Sequence, residues 1–163
     1  MSFENDQSLI KETMIQRIQT LYLLGATVLI ALCFFLPLAA LFSKIGQVDL
    51  LTLNNLAKGT VGKGLSEIIA FLAGLAFGMA FISIFLYKRR KRQMVMCLIL
   101  IALFLIINIL TVVQIEQLKQ ALGMMVTYKL PLIFPLLSAV LSYLSYRGIK
   151  KDDELVQSYD RLR

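Results

Sequence analysis

Long uncharged stretches separated by short polar segments dominate the chain. Residues 21–42, 68–87, 94–113 and 130–146 are four largely apolar runs without an Asp, Glu, Lys or Arg. A helix rises about 1.5 Å per residue, so a run of about 20 residues matches a hydrocarbon layer of roughly 30 Å. The fourth run is the shortest, with two prolines and three serines, and would draw on its flanks or on local bilayer thinning to cross. The pattern predicts a single all-α domain over residues 1–163, an integral-membrane four-helix bundle with spans at about 21–43, 66–87, 94–114 and 129–147. Residues 1–20, 88–93 and 148–163 then share one side of the membrane.

Composition strengthens this reading. The chain is 58% hydrophobic and 17% charged, with mean hydropathy +0.76, whereas soluble domains carry roughly 25% charged residues. The formal charge of +7 would suggest nucleic acid on a soluble protein. Here the cations flank the apolar runs, and no nucleic-acid partner is expected. Twelve basic residues lie on the side of the termini and five on the other, so the positive-inside bias places both termini in the cytoplasm of a bacterial inner-membrane protein. Tyr22, Tyr87, Tyr128 and Tyr146 fall at the interfacial positions that amphipathic rings favour. The first run is too long for the core of a cleaved signal peptide.

Several local features invite a functional reading. Ala70, Gly74 and Gly78 fall on one face of the second span, a small-residue groove that suits close helix contact. Packing within the bundle is the preferred explanation, and a dimer seam is the alternative. The cluster Lys88, Arg89, Arg90, Lys91 and Arg92 is expected to fix topology and, secondarily, to attract anionic lipid. Asn108 and Thr111 share a face of the third span, as do Ser138, Ser142 and Ser145 on the fourth; interhelical hydrogen bonds explain such stripes more readily than a transport lining. Pro131 suits the start of its span, while Pro37 and Pro135 are expected to kink the outer helix ends. The segment 48–55 within the first outer connection, residues 43–63, fits either a hairpin or an interfacial helix. Beyond Arg147, Leu155, Val156, Tyr159 and Leu162 have helical spacing and Asp152, Asp153 and Glu154 precede them. A short amphipathic cytoplasmic tail follows from that pattern.

Signals for catalysis are weak. The chain has no histidine and two cysteines, Cys33 and Cys97, whose expected depths differ by about 13 Å at the helical rise, too far for a disulfide. Gly59 to Gly64 resembles a phosphate loop only loosely, lacking a Ser or Thr after Lys63. Glu67 and Glu116 stand at outer span ends, and no ionisable residue interrupts a span, which argues against ion-coupled transport. No enzyme activity, cofactor or metal is expected. The residues favour a structural or accessory subunit or assembly factor, with the lipid bilayer and a homo-oligomer or larger membrane complex as partners. A small uncoupled channel, transporter or lipid-handling protein is the alternative.

The segment from Met14 to Leu24, MIQRIQTLYLL, leads into the first span, and the tail from Ile149 to Arg163, IKKDDELVQSYDRLR, follows the last. Together they make the chain resemble an uncharacterised Bacteroidota family of small four-span integral membrane proteins, domain of unknown function 4293, over residues 14–163. The resemblance implies a four-helix inner-membrane protein and assigns no activity or site residue. Such proteins often begin near this Met-Ile-Gln-Arg motif, which would make residues 1–13 an extension or a product of an upstream start.

Overall fold

A computed structural model describes residues 3–42, 48–53, 63–86 and 89–160. Four helices carry most of the chain: α1 (Phe3–Phe35), α2 (Lys63–Phe85), α3 (Arg90–Leu122) and α4 (Phe134–Asp160). Each packs against its neighbours in sequence, and α4 closes the ring against α1. The connections make successive helices antiparallel. Ser145 of α4 meets the start of the apolar part of α1 at Gln19, and Ser138 meets it at Ala26. The two ends of the bundle differ: one carries the connection between α2 and α3, with its basic residues, and the other carries a small sheet.

That sheet revises the all-α expectation. Strands β1 (Ala39–Phe42), β2 (Val48–Leu51) and β3 (Met125–Tyr128) pair antiparallel in the order β2-β1-β3. The first span, expected as helix over 21–43, stops being helical at Phe35. Pro37 is the physical reason, because a proline disfavours the helical conformation of the residue before it and offers no N–H to the preceding turn. The last turn closes with Leu36 N–H donating to Leu32 O. Backbone groups from Leu38 onward then pair sideways, with Leu38 N–H donating to Leu51 O and Leu38 O accepting from Lys129 N–H. Of the two readings of the 48–55 segment, its described part adopts the hairpin. Leu38, Ala39, Ala40, Leu41 and Leu53 are buried, so β1 closes the mouth of the bundle.

The other expected kink is also absent. Pro135 lies in the first turn of α4, preceded by a 3-10 turn over Leu130–Ile133. A proline is tolerated in a first turn because its ring does not clash with a preceding helical turn, and its missing N–H can be replaced by other donors. α3 ends at Gly123 in the left-handed conformation, φ 59°, which glycine adopts without a Cβ clash. The tail continues α4 as one helix through Asp160. The amphipathic face expected of Leu155, Val156, Tyr159 and Leu162 lies outside the described side chains.

Three helical stretches, Lys63–Phe85, Lys91–Leu122 and Leu130–Glu154, are long and apolar enough to cross a membrane, and Gln19–Phe35 is a shorter apolar helix. Large apolar side chains, Leu23, Ile30, Leu100, Phe104 and Ile107 among them, form a buried core. Small and polar side chains, including Ala73, Ala76, Ala80, Ser83, Ser142 and Ser145, fill the rest of the interior. Other large apolar side chains point outward from all four helices, with Leu21 63%, Phe71 70%, Ile109 62% and Val140 50% exposed. Exposed apolar surface of this extent suits contact with a membrane or a protein partner.

Gly148 shows how closely α1 and α4 approach. A Cβ there would lie 3.0 Å from Gln19 Cγ and 3.3 Å from its Nε2, and Gln19 is held by a hydrogen bond to Asp152. Gly148→Val should destabilise the bundle by about 1–3 kcal/mol in a denaturant titration in detergent. Gly74→Ala, where nothing lies within 4 Å of the added carbon, should cause no loss.

Candidate functional site

The chemistry available to this fold lies in a column of polar side chains along the bundle axis. At the sheet end the column supports the irregular start of α4. Pro135 has no N–H to offer Pro131 O, four residues earlier in the chain, and that carbonyl accepts instead from the Phe134 N–H and from Cys33 Sγ at 3.7 Å. Asn108 Nδ2 of α3 donates to the neighbouring Leu132 O at 2.9 Å. Thus α1 and α3 each supply a donor where α4 is not yet a regular helix, as apolar surroundings require. Nearby, the Thr111 hydroxyl donates to Ile107 O at 2.7 Å.

Midway along, Thr27 donates to Leu23 O at 2.8 Å and Ser138 crosses from α4 to Ala26 O of α1 at 3.2 Å. At the basic end the contacts become denser. Ser145 Oγ donates to Gln19 O at 3.3 Å, Gln19 Nε2 donates to Asp152 Oδ2, and Gln93 Nε2 donates to Ser83 O at 3.3 Å. The Cys97 thiol faces the hydroxyls of Ser145 and Ser83. The fully buried Ser142 Oγ makes no hydrogen bond among the described residues.

The column brings together both polar stripes seen in the sequence. Thr111, Ser138, Ser142 and Ser145 are buried, and Asn108 reaches α4. It also recruits Gln19 and Gln93, which the sequence reading did not single out, and Asp152, which that reading placed only at the acidic start of the tail. Their signal was an amide or carboxylate bordering an apolar run on the helix face that carries the buried residues. The groove of Ala70, Gly74 and Gly78 does not join. Gly74 is exposed, Ala70 and Gly78 are half-buried, and among the described residues nothing beyond the local helix backbone lies within 4 Å of a Cβ placed at either glycine. α2 uses Ser66, Ile69, Ala73, Ala76, Ala80 and Ser83 instead. Phe77, Phe81 and Phe85 form an aromatic ladder on its outer surface, with centroid spacings of 6.5 and 5.2 Å.

Arg89, Lys91 and Arg92 are exposed at the start of α3; Lys88 and the Arg90 side chain lie outside the described residues. Both cysteines are free. Of the loose phosphate-loop pattern, Gly59 to Gly62 lie outside the described residues, and Lys63 and Gly64 open α2, where Lys63 pairs with Glu67 at 4.0 Å. At the sheet end Glu116 accepts a hydrogen bond from Tyr128 and one from Lys119 Nζ at 3.2 Å. Those donors, Tyr128 first, hold the Glu116 carboxyl below its ordinary pKa, and the same bond raises that of Tyr128. Among the described residues no three His, Cys, Asp or Glu side chains gather as a metal site would require.

What the fold and its interior define is a helical bundle whose apolar core, with Leu23, Ile30, Leu100 and Phe104, holds a minority of buried polar side chains and whose exterior is also rich in apolar ones. The family described as domain of unknown function DUF4293 matches residues 15–162, and the chain belongs to it. No curated protein and no solved structure matches.

Asn108→Leu should leave Leu132 O without its side-chain donor and cost about 1 kcal/mol, read as a lower unfolding midpoint in detergent. Further toward the same sheet end of α3, Tyr128→Phe should raise the titration midpoint of Glu116 toward the ordinary carboxylate value, followed by NMR of labelled glutamate. The sign follows from the direction of the shift: a carboxyl held low keeps its contact above that low value and loses it as pH falls through it.

Proposed function

We propose that this is a multi-pass inner-membrane protein of four spans with both termini in the cytoplasm. In this reading it serves as a structural or accessory subunit, or an assembly factor, of a membrane complex, and it is not an enzyme. The observation that carries the reading is the apolar exterior: large apolar side chains are exposed on every helix, Leu21, Phe71, Ile109 and Val140 among them, although the bundle already has an apolar core. The twelve-to-five division of basic residues supports the orientation. α1 contributes 17 apolar helical residues, Gln19–Phe35, or about 26 Å of rise, and the apolar strand β1 adds depth at its end. A non-catalytic role is supported by how the polar column spends its donors, chiefly on backbone carbonyls of the bundle itself. A small channel or lipid-handling protein is the second reading, favoured by the buried Ser142 hydroxyl that makes no hydrogen bond among the described residues.

The test is the native mass of the protein, tagged at its own locus and extracted in mild detergent, with copurifying chains identified. A stoichiometric larger assembly is expected. A lone monomer would sink the accessory role and turn attention to flux or bound lipid. Because among the described residues nothing beyond the local helix backbone meets a Cβ placed at Gly74 or Gly78, Gly78→Ile should disperse an assembly seated there while leaving the bundle folded.

A further inference from the structure

The strongest positive charge among the described residues lies where α3 begins and α4 leaves the apolar zone. Two contacts set the register of these antiparallel helices: Asn108 against Leu132 and Cys97 against Ser145. Continuing that register toward the basic end brings Arg89, Lys91 and Arg92 of α3 abreast of Arg147, Lys150 and Lys151 of α4. Ile149 is buried, so α4 is still packed against the bundle at this level. All six cations are exposed. Glu154 lies 3.9 Å from Lys150, and Asp152 and Asp153 follow Lys151 directly, so the six cations outnumber the three carboxylates beside them. The basic cluster read from the sequence is therefore half of a larger one, whose other half lies more than fifty residues later in the chain.

What lies beside these cations narrows the ligand. Four and seven residues beyond Lys91 come Val95 and Leu98, and seven beyond Arg92 comes Ile99, all exposed. On α4 the same helical spacing back from Arg147 reaches Tyr143 and Val140, and back from Lys151 reaches Leu144, also exposed. Each helix thus presents cations with large apolar side chains one and two turns deeper on the same line. A free phosphate or a nucleotide would use only the first of these. An anionic phospholipid uses both, its headgroup against the cations and its acyl chains along the apolar lines.

We propose that Arg89, Lys91, Arg92, Arg147, Lys150 and Lys151 form one binding surface for anionic phospholipid headgroups, shared by α3 and α4. The proposal rests on the membrane-spanning reading above. Its test is native mass spectrometry of the full chain in neutral detergent, titrated with phosphatidylglycerol or with phosphatidylcholine. Two double variants, Lys91→Gln with Arg92→Gln and Arg147→Gln with Lys151→Gln, change only exposed side chains. Each should weaken phosphatidylglycerol binding by about 30-fold and leave phosphatidylcholine binding unchanged, and the unaltered chain should prefer phosphatidylglycerol by at least as much. Equal binding of the two lipids overturns the proposal, as does either double variant that binds phosphatidylglycerol like the unaltered chain. Displacement by soluble glycerol phosphate at matched concentration would also overturn it, since the headgroup alone would then suffice. The membrane reading fails separately, by a chain that stays monodisperse in water after the detergent is removed.

Discussion

Inside an apolar shell a backbone carbonyl or amide that finds no partner costs several kcal/mol, and this one constraint organises the structure. Regular helix satisfies most of the chain. The difficulties arise where prolines interrupt it. Pro37 ends α1 before the apolar sequence ends, and the remaining residues escape the penalty by becoming the central strand of a sheet. Pro135 removes a donor from the first turn of α4, and Cys33 and Asn108 reach across from two other helices to the carbonyls there. The sheet and the polar column are thus two answers to the same requirement.

A second consequence concerns volume. Helices that meet through Ala73, Ala76, Ala80, Ser142 and Ser145 can approach closely, and close approach lets short hydroxyls reach carbonyls of a neighbouring helix. Large side chains outside the core face outward, where a hydrocarbon surrounding would accept them at no cost. In water the same arrangement would expose apolar area on every face. The polar column and the apolar exterior therefore depend on one another.

Much of the helical framework was legible in the uncharged runs, because run length and the absence of charge are local properties. The polar stripes were legible for the same reason: Ser138, Ser142 and Ser145 share a face by spacing alone. The sheet was not. Its pairing joins residues 39–42 to 125–128, and nothing in either segment announces the other. The groove at Gly74 illustrates a different limit. Spacing identifies a face of small residues but not the direction in which that face points, and α2 turns its alanines inward and its glycines outward. The contact of Gln19 with Asp152 escaped notice because each looks like an ordinary flanking residue until the two helices are placed side by side.

The order of strands in the sheet bears on how the protein is made. β1 leaves the ribosome early and pairs with β2 at once through a short connection, but its other edge belongs to β3, which is synthesised only after α2 and α3. During that interval the first hairpin carries an open, apolar edge, and closing it brings together distant parts of the chain, the kind of contact that slows folding. Completion of the sheet thus waits on the synthesis of the third helix, and only then is β1 paired on both edges.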